Sequence, residues 1–364
     1  MAASLADVLP SCFGALGAEG YSDRFSLGSP SRIVVFLIDG LGLSNIESAR
    51  GYARFLSNCP SLGELKTVFP STTAAALASL ATGVSPTEHG ILGYRVWSPE
   101  RGELVNQLNG IDDREVDGGW LRAPSLIGSA TAGRLGVSVI GHQRYRSSAL
   151  TRMIYTDAHY IGVTSLRESF SALSSHLAEK STGVTLVYVS QLDECAHRNG
   201  VNSYEWTALL EELDSELRTF ARVCPRDVRA ILTADHGVID VPASAHREFG
   251  LGDEVTGVRA IGGEPRCLQV YLDDGVDPDV VRARWSALAG DRALVLGPEQ
   301  IEESVWKAAV AESLRARVPD FYVFAPDGEA WYDGREPTSP ARNMLGQHGG
   351  LSEQECRIPL LKVS

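Results

Sequence analysis

Ile33-Val34-Val35-Phe36-Leu37-Ile38-Asp39-Gly40 is an unbroken apolar run that ends on a carboxylate and a turn glycine. Apolar residues in succession, with no polar alternation, describe a strand buried on both faces, as in parallel sheets covered by helices. Three more Val/Ile/Leu-rich runs, 137–141, 184–190 and 229–234, each lead through a Gly/Ser/Asp turn into a helical pattern. The alternation predicts an α/β fold with a mostly parallel central sheet flanked by helices. SYEWTALLEELDSELRTFARV predicts a helix over about 203–222, with Ser203 as its N-cap.

The rest of the chain sets bounds. At 364 residues, 44% hydrophobic and 22% charged, it has the composition of a folded globule. It is read as one catalytic domain over 1–364, with cap or insert segments at about 93–175 and 240–340. The second of these carries a strand-like LQVYL and a helical segment around 299–316. A net charge of −13 argues against a nucleic-acid polymer or an acidic membrane surface as partner. No run approaches the ~20 apolar residues that span a bilayer, and Asp7 and Pro10 interrupt what would have to be a signal-peptide core. Six cysteines without a CxxC pair fit a reduced, cytoplasmic setting.

The chemistry sits where open α/β sheets place ligands, at the carboxyl ends of strands. Asp39 follows the first run, Asp193 with His197 the third, and Asp235-His236 the fourth, while His348 lies in GQHGG near the C-terminus. Three Asp and three His make a set for two divalent cations, and oxygen with imidazole suits zinc. In Lys66-Thr67-Val68-Phe69-Pro70-Ser71-Thr72-Thr73-Ala74-Ala75-Ala76 a strand is expected to run through Pro70 into an Ala-rich helix ending near Thr82-Gly83. A hydroxyl at that helix start would meet free N–H groups and the positive end of the helix dipole, a setting for phosphate, and one of these hydroxyls is the candidate nucleophile.

These residues resemble the alkaline phosphatase superfamily and, within it, the type I phosphodiesterase/nucleotide pyrophosphatase family. The resemblance rests on IDG at 38–40, FPSTT…TG…EHG across 69–90, D-x-x-x-H at 193–197, ADHG at 234–237 and HGG at 348–350, in family order. It implies an alkaline-phosphatase-like sandwich and metal-dependent hydrolysis of a small-molecule phosphate ester through a phospho-threonine. It also implies that Asp39, Asp235, His236 and the nucleophile hold one metal, and Asp193, His197 and His348 the other, both most simply zinc. Counting back from Thr82 gives Thr73 as nucleophile, with Thr72 as second choice.

Ala76, one turn on from Thr73, offers no side-chain donor to the phosphate. Donors are therefore expected from amides at the helix start and from Arg144 or Arg146, whose guanidinium binds phosphate bidentately. Tyr94 and Trp97 are candidates for an aromatic ledge under the substrate. His89 reads as a structural residue and Cys195 as a bystander; His159, His176 and His246 receive no role. A phosphomonoesterase of a small metabolite is the competing reading. A catalytically silent metal-binding homologue is a remoter one, and a sulfatase is disfavoured because FPSTTAAA lacks a C/S-x-P-x-R element.

Overall fold

Strand β1 (Arg32–Ile38) is buried along its whole length, because both its edges are paired and both its faces covered. The computed structural model describes residues 3–111, 119–132, 135–179 and 182–364. Its central sheet is built from β1, β2 (Gly136–His142), β3 (His159–Val163), β4 (Gly183–Val189), β5 (Val228–Thr233) and the short strand Leu361–Lys362. The order across the sheet is Leu361–Lys362, β5, β1, β4, β2, β3. Every pairing is parallel except that of Leu361–Lys362 with β5. Ile38 lies opposite Val189, and Leu37 opposite Thr233. The register therefore brings the chain leaving β1, β4 and β5 out side by side at one edge of the sheet.

Helices α1 (Thr73–Thr82), α2 (Leu166–Ala178), α3 (Gln191–Asn199) and α4 (Tyr204–Val223) flank this sheet. The expected N-cap of α4 is present, with Ser203 Oγ accepting from the Trp206 amide at 3.1 Å. The helix buries Trp206, Leu210, Leu213, Leu217 and Phe220, a repeat of four and three that makes one apolar stripe. Phe220 of α4 and Phe170 of α2 both pack on Phe36 of β1, at centroid distances of 5.3 and 5.4 Å. Helix α1 is buried on all sides, which its small alanines allow, and it ends on Gly83 at φ 72°. The strand expected to lead into α1 covers only Leu65–Lys66, and the chain is irregular from Thr67 to Thr72.

The expected insert at 93–175 needs correction. Its residues 136–142 and 159–163 are strands of the central sheet, and 166–178 is α2. His159–Val163 is an edge strand with an exposed first residue and a half-buried middle, so it lacks the continuous apolar run that marks its neighbours. What stands apart is the hairpin Arg95–Ser98/Glu103–Asn106. Residues 112–118 and 133–134 of that segment lie outside the described residues.

Residues 240–340 contain a second, antiparallel sheet of β6 (Val258–Glu264), β7 (Cys267–Leu272), β8 (Leu294–Leu296) and β9 (Phe321–Phe324), in the order β6-β7-β9-β8. Helix α5 (Pro278–Ala289) packs on it, and Val270, Trp285, Phe321 and Trp331 share its separate core. The helical segment expected around 299–316 is broken into Pro298–Ile301, Glu302–Trp306 and Glu312–Arg317. Lys307, at φ 55°, turns the chain out of helical geometry between them. No helix among the described residues is long and apolar enough to cross a membrane.

Candidate active site

Six of the expected ligands converge at the sheet edge. Asp39 follows β1, and Gly40 beside it adopts φ 70° where a Cβ would come within 2.9 Å of Asp193 Oδ1. Asp235-His236 follow β5 after Ala234. Asp193 stands not at a strand end, as expected, but in the first turn of α3, which places His197 one turn later on the same face. His348 follows the two-residue strand Gly346–Gln347.

Asp39, Asp235 and His236 offer ligand atoms within 4.8 Å of one another, as do Asp193, His236 and His348. The first grouping is the expected one. In the second, His236 joins Asp193 and His348, its ring stacked on that of His348 at 3.8 Å. His197 remains close by, with its Nε2 3.1 Å from Asp193 Oδ2.

The hydrogen bonds around these groups aim them inward. Nδ1 of His197, His236 and His348 each meets a carbonyl oxygen, of Gly346 at 2.8 Å, Gly237 at 3.2 Å and Ser71 at 2.9 Å. A carbonyl only accepts, so Nδ1 carries a proton and Nε2 is the nitrogen turned toward the cluster, where in His197 it meets Asp193. Asp235 Oδ1 accepts from the Gly40 and His236 amides, and Tyr188 donates to Asp39 Oδ2. Asp39 Oδ1, Asp193 Oδ1 and Asp235 Oδ2 are buried with no hydrogen-bond partner. Three bare carboxylate oxygens facing imidazole lone pairs fit a divalent cation, which supplies what a buried polar group otherwise lacks.

The electrostatics agree. Burial, then the charges of Asp235 and Asp193, push the Asp39 carboxyl well above its ordinary range. Burial also presses on Asp193, but adjacent His197 outweighs it and holds Asp193 below that range. His197, opposed by burial and favoured by Asp193, is pushed up to about 9. Burial, with His236 next to it, drives His348 well down. Crowded carboxylates, one of them leaning on the His197 imidazole for its countercharge, beside a His348 held neutral, are the condition that a bound cation relieves.

The hydroxyl turn lies against this cluster. Thr73 is the first residue of α1, with Oγ1 3.2 Å from His236 Nε2. Thr72, in extended conformation as N-cap, makes no capping bond; its hydroxyl acts instead on the Glu264 carboxyl, whose charged form it favours. Ser71 is taken up structurally, donating to the Gly350 carbonyl at 2.8 Å and accepting from the Gly349 amide.

A cavity of about 990 Å³ opens over the site, lined by Asp39, Thr72, Thr73, Asp193, His197 and His348 among others. Tyr94 and Arg144 also line it, and Arg144 pairs with Glu194. Arg146 is exposed and outside the cavity, since the turn Gln143–Tyr145 carries it away. Trp97 is not on the cavity wall either; its ring meets Tyr271 at 6.3 Å and the Arg259 guanidinium at 5.5 Å. Ala76 is fully buried within α1. His89 has the structural role expected of it, with Nε2 2.8 Å from Ser79 Oγ of α1.

The sequence reading missed Tyr188, Glu194, Arg95 and Glu264, all on the cavity wall. Tyr188 and Glu194 flank motif residues, and Gly262-Gly263-Glu264 at a strand end was a signal available to read.

The sequence model of the type I phosphodiesterase/nucleotide pyrophosphatase family matches residues 33–351. No curated protein matches the chain. Among solved structures, human ectonucleotide pyrophosphatase/phosphodiesterase 5 superposes with a TM-score of 0.71 at 15% identity, over 91% of this chain and 87% of that one. The murine counterpart, as an inactive variant in complex with AMP, gives 0.68 at 16%, over 90% and 87%. Phosphonoacetate hydrolase from Sinorhizobium meliloti 1021, in complex with phosphonoacetate, gives 0.68 at 18%, over 92% and 90%. At these identities the likeness is one of fold.

Proposed function

Because the chain belongs to the type I phosphodiesterase/nucleotide pyrophosphatase family and is a phosphoester hydrolase, we propose that it cleaves phosphate diesters through a phospho-threonine on Thr73 at a two-zinc centre. The observation that carries the diester reading is the charge of the cavity. Six carboxylates and three arginines line it, with no lysine among the described residues. Each arginine already has an acidic partner: Arg95 has Glu336 at 2.7 Å, Arg335 has Asp333 at 2.8 Å, and Arg144 has Glu194. A monoester dianion would find no uncommitted guanidinium to neutralise its second charge, whereas a diester carries only one.

Asp39, Asp235 and His236 would hold one cation, and Asp193, His197 and His348 the other. When bound, the pair supplies Lewis acidity and offsets the charge of the transferring phosphoryl group. Thr73 Oγ1 attacks phosphorus in line, forming the Thr73–phosphate bond as the bond to the leaving oxygen breaks, and the proton lost by the hydroxyl ends on that oxygen, which departs as the alcohol. Water then hydrolyses the phospho-threonine and frees the hydroxyl. The amides at the start of α1 face the phosphate, where the helix dipole favours negative charge. Tyr94, Tyr145, Tyr155, Tyr160 and Tyr188 supply aromatic wall for the alcohol portion. A nucleotide ester, with a flat base and a hydroxylated sugar, suits such a wall. Six free cysteines support the cytoplasmic reading.

The test is the initial rate on bis-p-nitrophenyl phosphate against p-nitrophenyl phosphate, with zinc and with chelator. The diester is expected to be the faster substrate and its hydrolysis to stop with chelator. A faster monoester would overturn the diester reading and turn attention to Arg144 released from Glu194.

A further inference from the structure

One element of the second sheet ends inside the active site. Strand β6 closes on Gly262-Gly263-Glu264 and turns through Pro265-Arg266 into β7. A Cβ on Gly262 would lie 2.4 Å from the Arg95 carbonyl oxygen; one on Gly263, at φ 74°, would lie 2.2 Å from that of Cys267. Glycine at both places lets the strand end press against the site and deliver the next side chain. That side chain, Glu264, is buried, with Oε2 3.3 Å from His348 Nδ1, and the Thr72 hydroxyl favours its charged form. Its Oε1 has no partner.

The turn is clamped from behind. Arg266, fully buried, donates to Glu355 through Nε at 3.2 Å and Nη2 at 3.0 Å. Glu355 in turn accepts from the Gly350 amide at 2.8 Å, two residues beyond His348. The β6–β7 turn and the His348 loop are therefore held as one piece.

We propose that Glu264 is a positioning residue of the metal centre, which orients His348 and the Thr72–Thr73 turn together and makes the second sheet a working part of the site. The proposal rests on the two-metal reading above. The proton on His348 Nδ1 goes to the Ser71 carbonyl oxygen at 2.9 Å, and the Glu264 carboxyl 3.3 Å from the same nitrogen favours keeping it there, which fixes the tautomer with its lone pair on Nε2. A carboxylate behind a ligating imidazole also makes it a stronger donor to the metal. Through its interaction with the Thr72 hydroxyl, Glu264 also steadies the residue whose backbone sets where Thr73 begins α1. A purely structural role fits poorly, because a buried carboxylate with one bare oxygen is a cost to folding that an amide of the same shape lowers.

Stability and metal affinity should therefore part company in Glu264→Gln. Zinc affinity, from chelator competition, is measured alongside urea midpoints and kcat and KM at saturating zinc, for the wild type, Glu264→Gln and Thr72→Val. In Glu264→Gln the urea midpoint of the metal-free protein is expected to hold or rise, and zinc to bind about 10–100-fold more weakly. Its kcat should fall while KM stays close to wild type. Thr72→Val, which removes the donor to the same carboxylate without changing shape, is expected to weaken zinc severalfold, and its zinc affinity decides the question if Glu264→Gln does not fold. Zinc affinity and kcat within twofold of wild type in the folded variants overturn the role of Glu264 and leave the two-metal reading standing. A wild type that binds no zinc overturns both.

Discussion

Two neighbouring hydroxyls differ only by the backbone beneath them. Thr72 sits at φ −127°, ψ 143°, outside the helix, and its hydroxyl acts on Glu264, favouring the charged carboxyl. Thr73 is the first helical residue, and the change of backbone region swings its oxygen toward His236, at 3.2 Å. Thr73→Ala is expected to cost at least about a thousandfold in kcat, as loss of a nucleophile does, while zinc content stays near that of wild type. Thr72→Ala is expected to remain within about tenfold, because no capping bond is lost. Initial rates on the diester beside metal content by mass spectrometry make the check; equal losses in the two variants would sink the assignment. Conformation at this turn explains why sequence could narrow the choice to two threonines and no further.

At the scale of elements, α1 depends on His89 in the short helix Pro86–His89. The Ile91 amide donates to its Nδ1 at 3.1 Å, and its Nε2 lies 2.8 Å from Ser79 Oγ, so the ring is neutral with its proton on Nε2. Burial pushes this imidazole down to about 3. The unfolded chain takes up the proton near the ordinary value of about 6.5 while the folded chain does not. The stability held by this neutral ring is thus complete above about pH 6.5 and drains away as pH falls toward 3. Between pH 7.5 and 5.5 the loss is about 1.4 kcal/mol from this group alone. His89→Gln is expected to be less stable at pH 7.5 but to show a shallower decline on acidification. Urea midpoints at pH 7.5 and 5.5 measure it, and parallel declines in both proteins would refute it.

On the scale of the whole molecule, two cores built by different rules meet at one site. The parallel sheet delivers carboxylates and imidazoles from its edge, and the antiparallel sheet delivers Glu264 from the far side of the cavity. Because the bare oxygens of Asp39, Asp193 and Asp235 are shared among β1, α3 and β5, metal should act as a tie across the fold. A cation at about 100 times its Kd adds about 2.7 kcal/mol, which for a chain of this length is about 2–4 °C in Tm. Thermal melts with chelator and with zinc restored should show that shift; coincident melts would mean the tie is absent.

The sequence by itself determined the parallel sheet, a helix over about 203–222, the end of α1 at Gly83 and which Asp and His residues gather at the candidate site. Each is written locally, as an apolar run, a period, a turn glycine or a polar residue just past a strand. Only the tertiary structure decided that His236 lies against both ligand groups, that Arg144 faces the cavity while Arg146 does not, that His159–Val163 closes the sheet, and that Glu264 reaches His348. The reason is physical: these depend on side chains far apart in sequence, whose direction is set by strand register, ring stacking and the geometry of a turn. No run, period or spacing carries such information until the chain has folded.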